Sequence, residues 1–246
     1  MEVHGLSTFN LKAVLFDMDG VLYDSMPIHA DSWHVVMKRF GLHLSREEAY
    51  MHEGRTGAGT INIISRRERG RDATPEEIEM IYTAKAEEFN KHSKPDKMPG
   101  ALDVLNQIKA EGLKIILVTG SGQKSLLERL NRSFPDIFHE ELMVTAFDVK
   151  KGKPNPEPYL IGLEKGGVKA NEAIVIENAP LGIEAGAKAG IFTIAVNTGP
   201  LPDKVLWNAG ANYLFPSMTE FSKQWESLRK EINCIEQTQR NSFFIA

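Results

Sequence analysis

Residues 13–21 read Ala-Val-Leu-Phe-Asp-Met-Asp-Gly-Val, a short apolar run followed at once by two carboxylates and a glycine. An apolar run without polar alternation is typical of a strand that is buried on both faces of a sheet. Asp17 and Asp19 can both face a ligand only if the backbone leaves the sheet there, and Gly20 permits that turn. The alternative interpretation is an Asx turn that merely ends the strand.

Similar apolar runs recur along the chain, and each is followed by a turn residue and a helix-like stretch. Alternation of this kind predicts an α/β fold, a Rossmann-like parallel sheet core with helices on both faces. Ligands of such sheets bind at the carboxyl ends of the strands. The predicted strands are residues 12–16, 114–118, 141–144, 173–176 and 192–196.

The long segment between the first two predicted strands has no comparable strand signal. Residues 74–77 read Thr-Pro-Glu-Glu, a capping box with proline at the first helical position, and apolar residues at three-four spacing follow. We therefore predict an inserted α-helical cap domain at residues 26–96, and a core formed by residues 1–25 and 97–246. A terminal helix is predicted from the spacing of Phe221, Trp225, Leu228 and Ile232.

The composition is that of an ordinary globular protein, with 246 residues, 42% of them hydrophobic, and a net charge of −4. The slight acidity gives no support to nucleic-acid or membrane-surface binding, so small molecules are the expected partners. One cysteine, Cys234, forms no internal disulfide, and the first residues lack the layout of a signal peptide. We expect a cytoplasmic monomer.

A second turn follows the strand at 114–118, where Thr119, Gly120 and Ser121 precede a predicted helix. A hydroxyl and backbone N–H groups at a helix N-terminus can hold an anion. The stretch also partly matches a dinucleotide fingerprint, but Ser125 stands where the third glycine belongs. A plain helix start is the alternative.

Three further polar residues fall at or just beyond strand ends, namely Lys153, Glu177 and Asn178. Singly, Lys153 reads as a solvated loop lysine and the other two as a helix cap. Together they give oxygen ligands for Mg²⁺ and a cation for phosphate at one edge of the sheet.

With these motifs in this order, the chain resembles the haloacid dehalogenase superfamily of phosphotransferases, in the capped branch that includes β-phosphoglucomutase. The resemblance covers residues 11–225. Residues 52–57 and 176–182 are most similar to the bacterial inorganic pyrophosphatases of this branch.

The resemblance implies a catalytic role for four residues. Asp17 would attack phosphorus to give an aspartyl phosphate, a route that divides one displacement into two. Asp19 would protonate the leaving oxygen and later take a proton from water, which requires a raised pKa. Thr119, with Gly120 and Ser121, and Lys153 would hold the phosphoryl oxygens.

The resemblance also implies Mg²⁺, held by the Asp17 carboxylate, the Asp19 backbone carbonyl and Asn178, with Glu177 also counted among the metal ligands. The family usually has an acid where Asn178 stands, so one negative charge is absent from the metal site. We hypothesise that Glu53 of the cap meets the metal when the cap closes, which would also narrow the pocket. The alternative is a solvent-facing pair of Glu53 with Arg55.

Three cap residues are candidates for substrate binding. His29 fits a mutase pattern in which a histidine couples substrate binding to the acid-base aspartate, and Lys85 matches a cap lysine that holds a distal phosphate. Arg55 and Lys85 would suit a second phosphate group. The alternatives are an ordinary polar residue near a helix start for His29 and an exposed helix lysine for Lys85.

We therefore expect a Mg²⁺-dependent phosphohydrolase that acts on a small phosphorylated substrate, with inorganic pyrophosphate favoured. β-Phosphoglucomutase is the alternative enzyme, because the motifs do not decide whether the phosphoryl group on Asp17 passes to water or to a sugar. A phosphate-binding protein without catalysis is the alternative of another class.

Overall fold

A single sheet forms the centre of the protein, whose computed structural model describes residues 9–92, 94–122 and 124–243. All neighbouring strands are parallel, and the order β3-β2-β1-β4-β5-β6 places β1 between β2 and β4. The predicted α/β fold is confirmed. The strands are β1 (Ala13–Phe16), β2 (Lys114–Val118), β3 (Met143–Val144), β4 (Ala173–Glu177), β5 (Phe192–Val196) and β6 (Tyr213–Phe215).

Helices cover both faces of the sheet, as alternate residues of β1 illustrate. Val14 and Phe16 pack into the same apolar cluster as α5 and α10, whereas Leu15 packs with residues of α7 and α8 on the other face. None of the helices in the described ranges is long and apolar enough to cross a membrane. The helices are α1 (Met26–Arg39), α2 (Arg46–Met51), α3 (Gly57–Arg69), α4 (Pro75–Asn90), α5 (Ala101–Ala110), α6 (Lys124–Ser133), α7 (Glu157–Gly166), α8 (Pro180–Lys188), α9 (Asp203–Asn208) and α10 (Met218–Phe243).

The first four helices lie between β1 and β2 in the chain and have an apolar cluster of their own around Val36, Ile61 and Ile81. Helix α4 begins at the predicted capping box, in which Thr74 and Glu77 exchange both side-chain to backbone hydrogen bonds. The division of the chain at residues 26 and 96 stays a prediction.

The structure differs from the predicted strands at two places. β3 has only two residues because residues 140–142 form a 3₁₀ turn, where a longer strand was expected. The strand β6 was not predicted, since its three residues are too few to give a period. β6 is stabilised by parallel pairing with β5, which is a tertiary contact that the local sequence does not reveal.

The terminal helix α10 begins at Met218 and buries all four of the residues that predicted it. Trp225 is 1% exposed, and its Nε1 donates a hydrogen bond to Glu111 Oε1 at 2.7 Å. The helix therefore closes one face of the sheet over α5.

Replacing this tryptophan should destabilise the core strongly. We expect Trp225→Ala to lower the free energy of unfolding by about 3–5 kcal/mol, because a large side chain is removed from a closed cluster. The matched control is Trp207→Ala, since Trp207 is 47% exposed, and there the change should stay within about 0.5 kcal/mol. Urea unfolding followed by circular dichroism measures both, and equal losses would contradict the assignment of α10 to the core.

Candidate active site

The two aspartates of residues 17–19 lie where β1 leaves the sheet. The Asp17 backbone N–H still bonds the Ile176 carbonyl of β4 at 3.1 Å, whereas Gly20 has a φ of 76° and turns the chain away. The turn predicted at Gly20 is confirmed. Both carboxylates consequently line one cavity at the carboxyl edge of the sheet.

Lys153 joins the ends of three neighbouring strands. Its Nζ lies 2.5 Å from Asp17 Oδ1 and 2.6 Å from Glu177 Oε1, and it donates a third bond to the Val118 carbonyl at 3.0 Å. These bonds use all three protons of the ammonium group. Burial acts against the charge, but the two carboxylates outweigh it and raise the pKa of Lys153 above its ordinary value. The alternative of a solvated loop lysine is wrong, since Lys153 is 1% exposed.

Glu177 is fully buried and both of its oxygens have donors. Oε1 accepts from Lys153 and, at 2.8 Å, from the hydroxyl of Tyr159 in α7. Oε2 accepts from the backbone N–H groups of Asn178 and Ala179, at 3.0 and 3.2 Å. The carboxylate thus holds the turn that precedes α8 and fixes the position of the lysine.

Burial governs the charge of Asp17. Removal from water, with the negative charges of Glu177 and Asp19 nearby, raises the pKa of Asp17 to about 8, although Lys153 opposes the shift. A carboxyl with this pKa is mostly protonated at neutral pH, so a further cation is needed to hold it ionised.

Asp19 belongs to a chain of hydrogen bonds that enters from the cap. Its Oδ1 accepts from Ser25 Oγ at 2.6 Å and faces His29 Nε2 at 3.1 Å, while Lys85 Nζ lies 2.5 Å from His29 Nδ1. A lysine that donates to Nδ1 leaves Nε2 as the donor to Asp19. The cap and the acid-base candidate are therefore directly connected.

The pKa expected for Asp19 is wrong in direction. Burial alone would raise it, but the charge and hydrogen bond of His29, with Ser25 and Lys85, outweigh burial and lower the pKa of Asp19. The sequence analysis considered only the need of an acid for a proton. The prediction did not include a histidine bonded to this carboxylate and the charge of a lysine behind that histidine.

His29 and Lys85 are buried, at 7% and 2% exposure, so the alternative of an exposed helix lysine for Lys85 is wrong. His29 does lie in the first turn of α1, as its alternative had it, but its ring faces Asp19. The ammonium of Lys85 lies 5.4 Å from the Trp33 ring centre and 5.1 Å from that of Phe89. Burial lowers the pKa of Lys85 to about 7, although Asp19 acts against the shift. The aromatic surroundings compensate part of the lost hydration.

Glu53 reaches from the cap into the core. Its Oε1 accepts a hydrogen bond from Asn178 Nδ2 at 2.8 Å, and the residue is 7% exposed, so the solvent-facing alternative is wrong. Burial first, and then the charges of Asp17 and Glu177, raise the pKa of Glu53 well above its usual range. Among the residues that the structure describes, Asn178 Oδ1 is buried without a hydrogen-bond partner.

The loop that carries Glu53 touches the core through glycines. A Cβ at Gly120 would lie 2.4 Å from the Gly54 carbonyl oxygen, and one at Gly152 would lie 2.7 Å from Thr56 Cγ2. Side chains at these positions would hold the loop away. The backbone of the predicted phosphate turn is thus directly beneath the cap loop.

A cavity of about 60 Å³ lies between cap and core. Nine of the predicted site residues line it, whereas Lys153, Glu177 and Asn178 lie behind its wall. The predicted lining residues are Asp17, Asp19, His29, Glu53, Arg55, Lys85, Thr119, Gly120 and Ser121, and the unpredicted ones include Trp33, His52, Thr60 and Tyr82.

His52 is the functional candidate that the sequence analysis missed. Its Nδ1 and the Nε of Arg55 are buried and have no hydrogen-bond partner within the described parts of the chain. Both residues line the cavity. The signals available were its place directly before Glu53 and its position in the stretch 52–57 that resembles the pyrophosphatases.

The donor set fits a hard divalent cation. Within residues 9–92, 94–122 and 124–243, no group of three or more His, Cys, Asp or Glu side chains is arranged to hold a metal. The predicted set instead combines the Asp17 carboxylate with an amide oxygen and a main-chain carbonyl, and the amide oxygen of Asn178 is the buried atom that lacks a partner. Oxygen donors of this kind are those that Mg²⁺ prefers.

The chain is similar in sequence and in fold to several known proteins. The phosphorylated carbohydrates phosphatase of Thermotoga maritima is 31% identical over 202 residues, which cover 82% of this chain and 92% of that protein. The "Putative pyrophosphatase PpaX" of Caldanaerobacter subterraneus is 27% identical over 215 residues, covering 87% of this chain and 94% of that protein. A solved structure described as "Putative beta-phosphoglucomutase from Bacteroides vulgatus" is 70% identical, with a TM-score of 0.89 over 92% of this chain and 91% of that one.

The family model of the haloacid dehalogenase-like hydrolases matches residues 14–196, from the first strand to the end of β5. This range contains both aspartates, the cap, Lys153 and the Glu177-Asn178 pair. The chain belongs to the haloacid dehalogenase-like hydrolases.

Proposed function

We propose that this protein is a Mg²⁺-dependent phosphohydrolase that forms a covalent phosphoryl intermediate on Asp17, with inorganic pyrophosphate as the substrate. The observation that carries the choice of substrate is the contact of Glu53 with Asn178, which brings the cap loop down onto the core and leaves a cavity of about 60 Å³. A pocket for a larger organic ligand commonly has about 300–1,000 Å³.

The first half-reaction follows from the two aspartates. An Asp17 oxygen forms a bond to phosphorus as the bridging P–O bond breaks. Because the pKa of Asp19 is lowered, Asp19 is ionised before substrate binds, and the proton that it gives to the departing phosphate oxygen is one that it takes up with the substrate. Asp19 then takes a proton from water, whose oxygen bonds to phosphorus as the bond to Asp17 breaks. The chain through His29 and Lys85 connects the protonation of Asp19 to the occupancy of the cap.

Lys153 has one of the Asp17 oxygens as a partner, which orients the other oxygen toward the cavity. We assign Glu177 to the positioning of Lys153 and not to the metal, because four donors already occupy its oxygens. This assignment revises the place given to Glu177 among the metal ligands by the sequence analysis.

Asp17, the Asp19 backbone carbonyl and the Asn178 amide oxygen would hold Mg²⁺, with Glu53 supplying the charge that an amide lacks. When bound, the cation neutralises the phosphoryl oxygens that the buried carboxylates otherwise repel. Thr119 and the backbone at Gly120 and Ser121 would bind those same oxygens.

β-Phosphoglucomutase is the second candidate, and the connection of His29 and Lys85 to Asp19 favours it. In a mutase, the phosphoryl group on Asp17 passes to a sugar and water is excluded. A phosphate-binding protein without catalysis is disfavoured, because binding alone does not require a buried nucleophile beside a second acid.

Asp17→Asn should abolish turnover. The amide is a poor nucleophile, so we expect phosphate release from pyrophosphate with Mg²⁺ to fall by at least about a thousandfold. The same assay is run beside conversion of β-glucose 1-phosphate to glucose 6-phosphate. If the native protein converts β-glucose 1-phosphate and releases little phosphate from pyrophosphate, the mutase assignment replaces the hydrolase assignment. Full activity of Asp17→Asn would contradict both assignments.

Glu53→Ala should weaken Mg²⁺ binding. Loss of a carboxylate beside Asn178 removes charge from the metal site, and we expect the dissociation constant for Mg²⁺ to rise about 10–100-fold. Calorimetric titration measures it directly, with Glu47→Ala as the control, because Glu47 is an exposed acid of the same cap segment. Unchanged metal affinity and turnover in Glu53→Ala would exclude a role at the metal.

Binding of Mg²⁺ should release protons at neutral pH. Because the pKa of Asp17 is raised to about 8, the metal must displace a proton below that pH, and affinity should rise by up to about tenfold per pH unit and level off near pH 8. Titration in two buffers of different ionisation enthalpy counts the protons. A constant affinity between pH 6 and 8 would mean that Asp17 is already ionised.

A further inference from the structure

A second cavity, of about 150 Å³, lies behind the wall formed by Glu53 and Asn178. Glu53 lines only the first cavity and Asn178 only the second, and their side chains are hydrogen-bonded to each other. The pair therefore separates two cavities, and both cavities lead to the side chains proposed to hold the metal. The first space is the one assigned above to the phosphate substrate.

The second cavity runs from the surface to the metal ligands. Asp24 and Gly199 at its rim are exposed, whereas Gly20 and Asn178 at its inner end are buried. Thr198 donates a hydrogen bond to the Gly20 carbonyl at 2.6 Å, which ties the rim loop to the turn after Asp19. A continuous path thus connects solvent with Asn178.

The lining carries the charge that a cation requires. Asp24 stands at the mouth, and Tyr50 lies on one side. Burial first, and then the nearby charges of Glu53 and Asp24, raise the pKa of Tyr50. Asp24 is the one acidic residue among the lining residues, which include no lysine or arginine to compensate it, so its charge draws a divalent cation inward.

At the inner end of the cavity stands the amide of Asn178. Its Oδ1 is one of the buried oxygens that have no hydrogen-bond partner within the described residues. An unsatisfied buried acceptor costs free energy unless a cation or a water fills the position. The path therefore ends at an atom that requires a ligand.

We propose that the second cavity is a separate entrance, through which the divalent cation and its waters reach and leave Asn178 independently of the opening used by the phosphate substrate. The inference rests on the proposed function only for the presence of the cation at this site. It allows the metal to exchange while substrate or product fills the first cavity and the cap loop stays on the core.

The test uses the kinetics of metal binding, with Mn²⁺ alone as the probe because it prefers the same oxygen ligands. Gly199→Trp narrows the entrance, since a Cβ there lies 3.6 Å from the Tyr50 ring and the backbone accepts a side chain. Stopped-flow transfer of Mn²⁺ to and from a fluorescent chelator gives both rates. We expect association and dissociation to slow by the same several-fold factor, with the dissociation constant unchanged.

Asp24→Asn should slow association alone, by about tenfold at low ionic strength, because the attraction at the mouth is lost. The controls are Asn208→Trp and Asp103→Asn, which place the same changes at exposed positions outside the cavity. If Gly199→Trp and Asp24→Asn bind and release Mn²⁺ at the rates of the native protein, the second cavity is not the entrance, although the protein still binds the metal. Failure of the native protein to bind Mn²⁺ would instead overturn the proposed function.

Discussion

The ammonium of Lys153, enclosed between Asp17 and Glu177, is the interaction on which the site depends. An ion buried in this way loses several kcal/mol of hydration, which only close partners of opposite charge restore. Its partners come from the ends of β1, β2 and β4, and Tyr159 of α7 holds Glu177 in place. The nucleophile candidate is therefore oriented by the same contacts that bring the strand ends together.

Lys153 carries one positive charge, which does not compensate all the carboxylates buried around it, and this excess of negative charge explains the other features of the site. Asp17 and Glu53 both have raised pKa values because they are buried beside other carboxylates. An amide at Asn178 removes a fixed charge from the core, and an acid from the cap stands beside it. The metal site that we propose is thus shared between two parts of the chain, so the position of the cap and the affinity for the cation are coupled.

Much of the site was predictable because its residues are tied to strand ends, which the apolar runs reveal. Asp17, Thr119 and Glu177 fall at predicted edges, and parallel pairing brings them together. What the sequence did not reveal depends on contacts between distant elements. The pKa of Asp19 is lowered because His29 of α1 and Lys85 of α4 lie near its carboxylate. His52 becomes a candidate only because it lines the cavity between cap and core. The strand β6 has only three residues, which is too few to give a recognisable strand pattern in the sequence.

The glycines beneath the cap loop have a consequence for how relatives of this protein can diverge. Gly54 and Gly120 bring main chain against main chain, and Gly152 receives the loop at Thr56. The contact of Gly54 with Gly120 contains no side chain to exchange, so the loop keeps its position there while cavity positions such as Trp33 and His52 vary. Substrate preference can therefore change through these side chains while the cap loop keeps its position on the core.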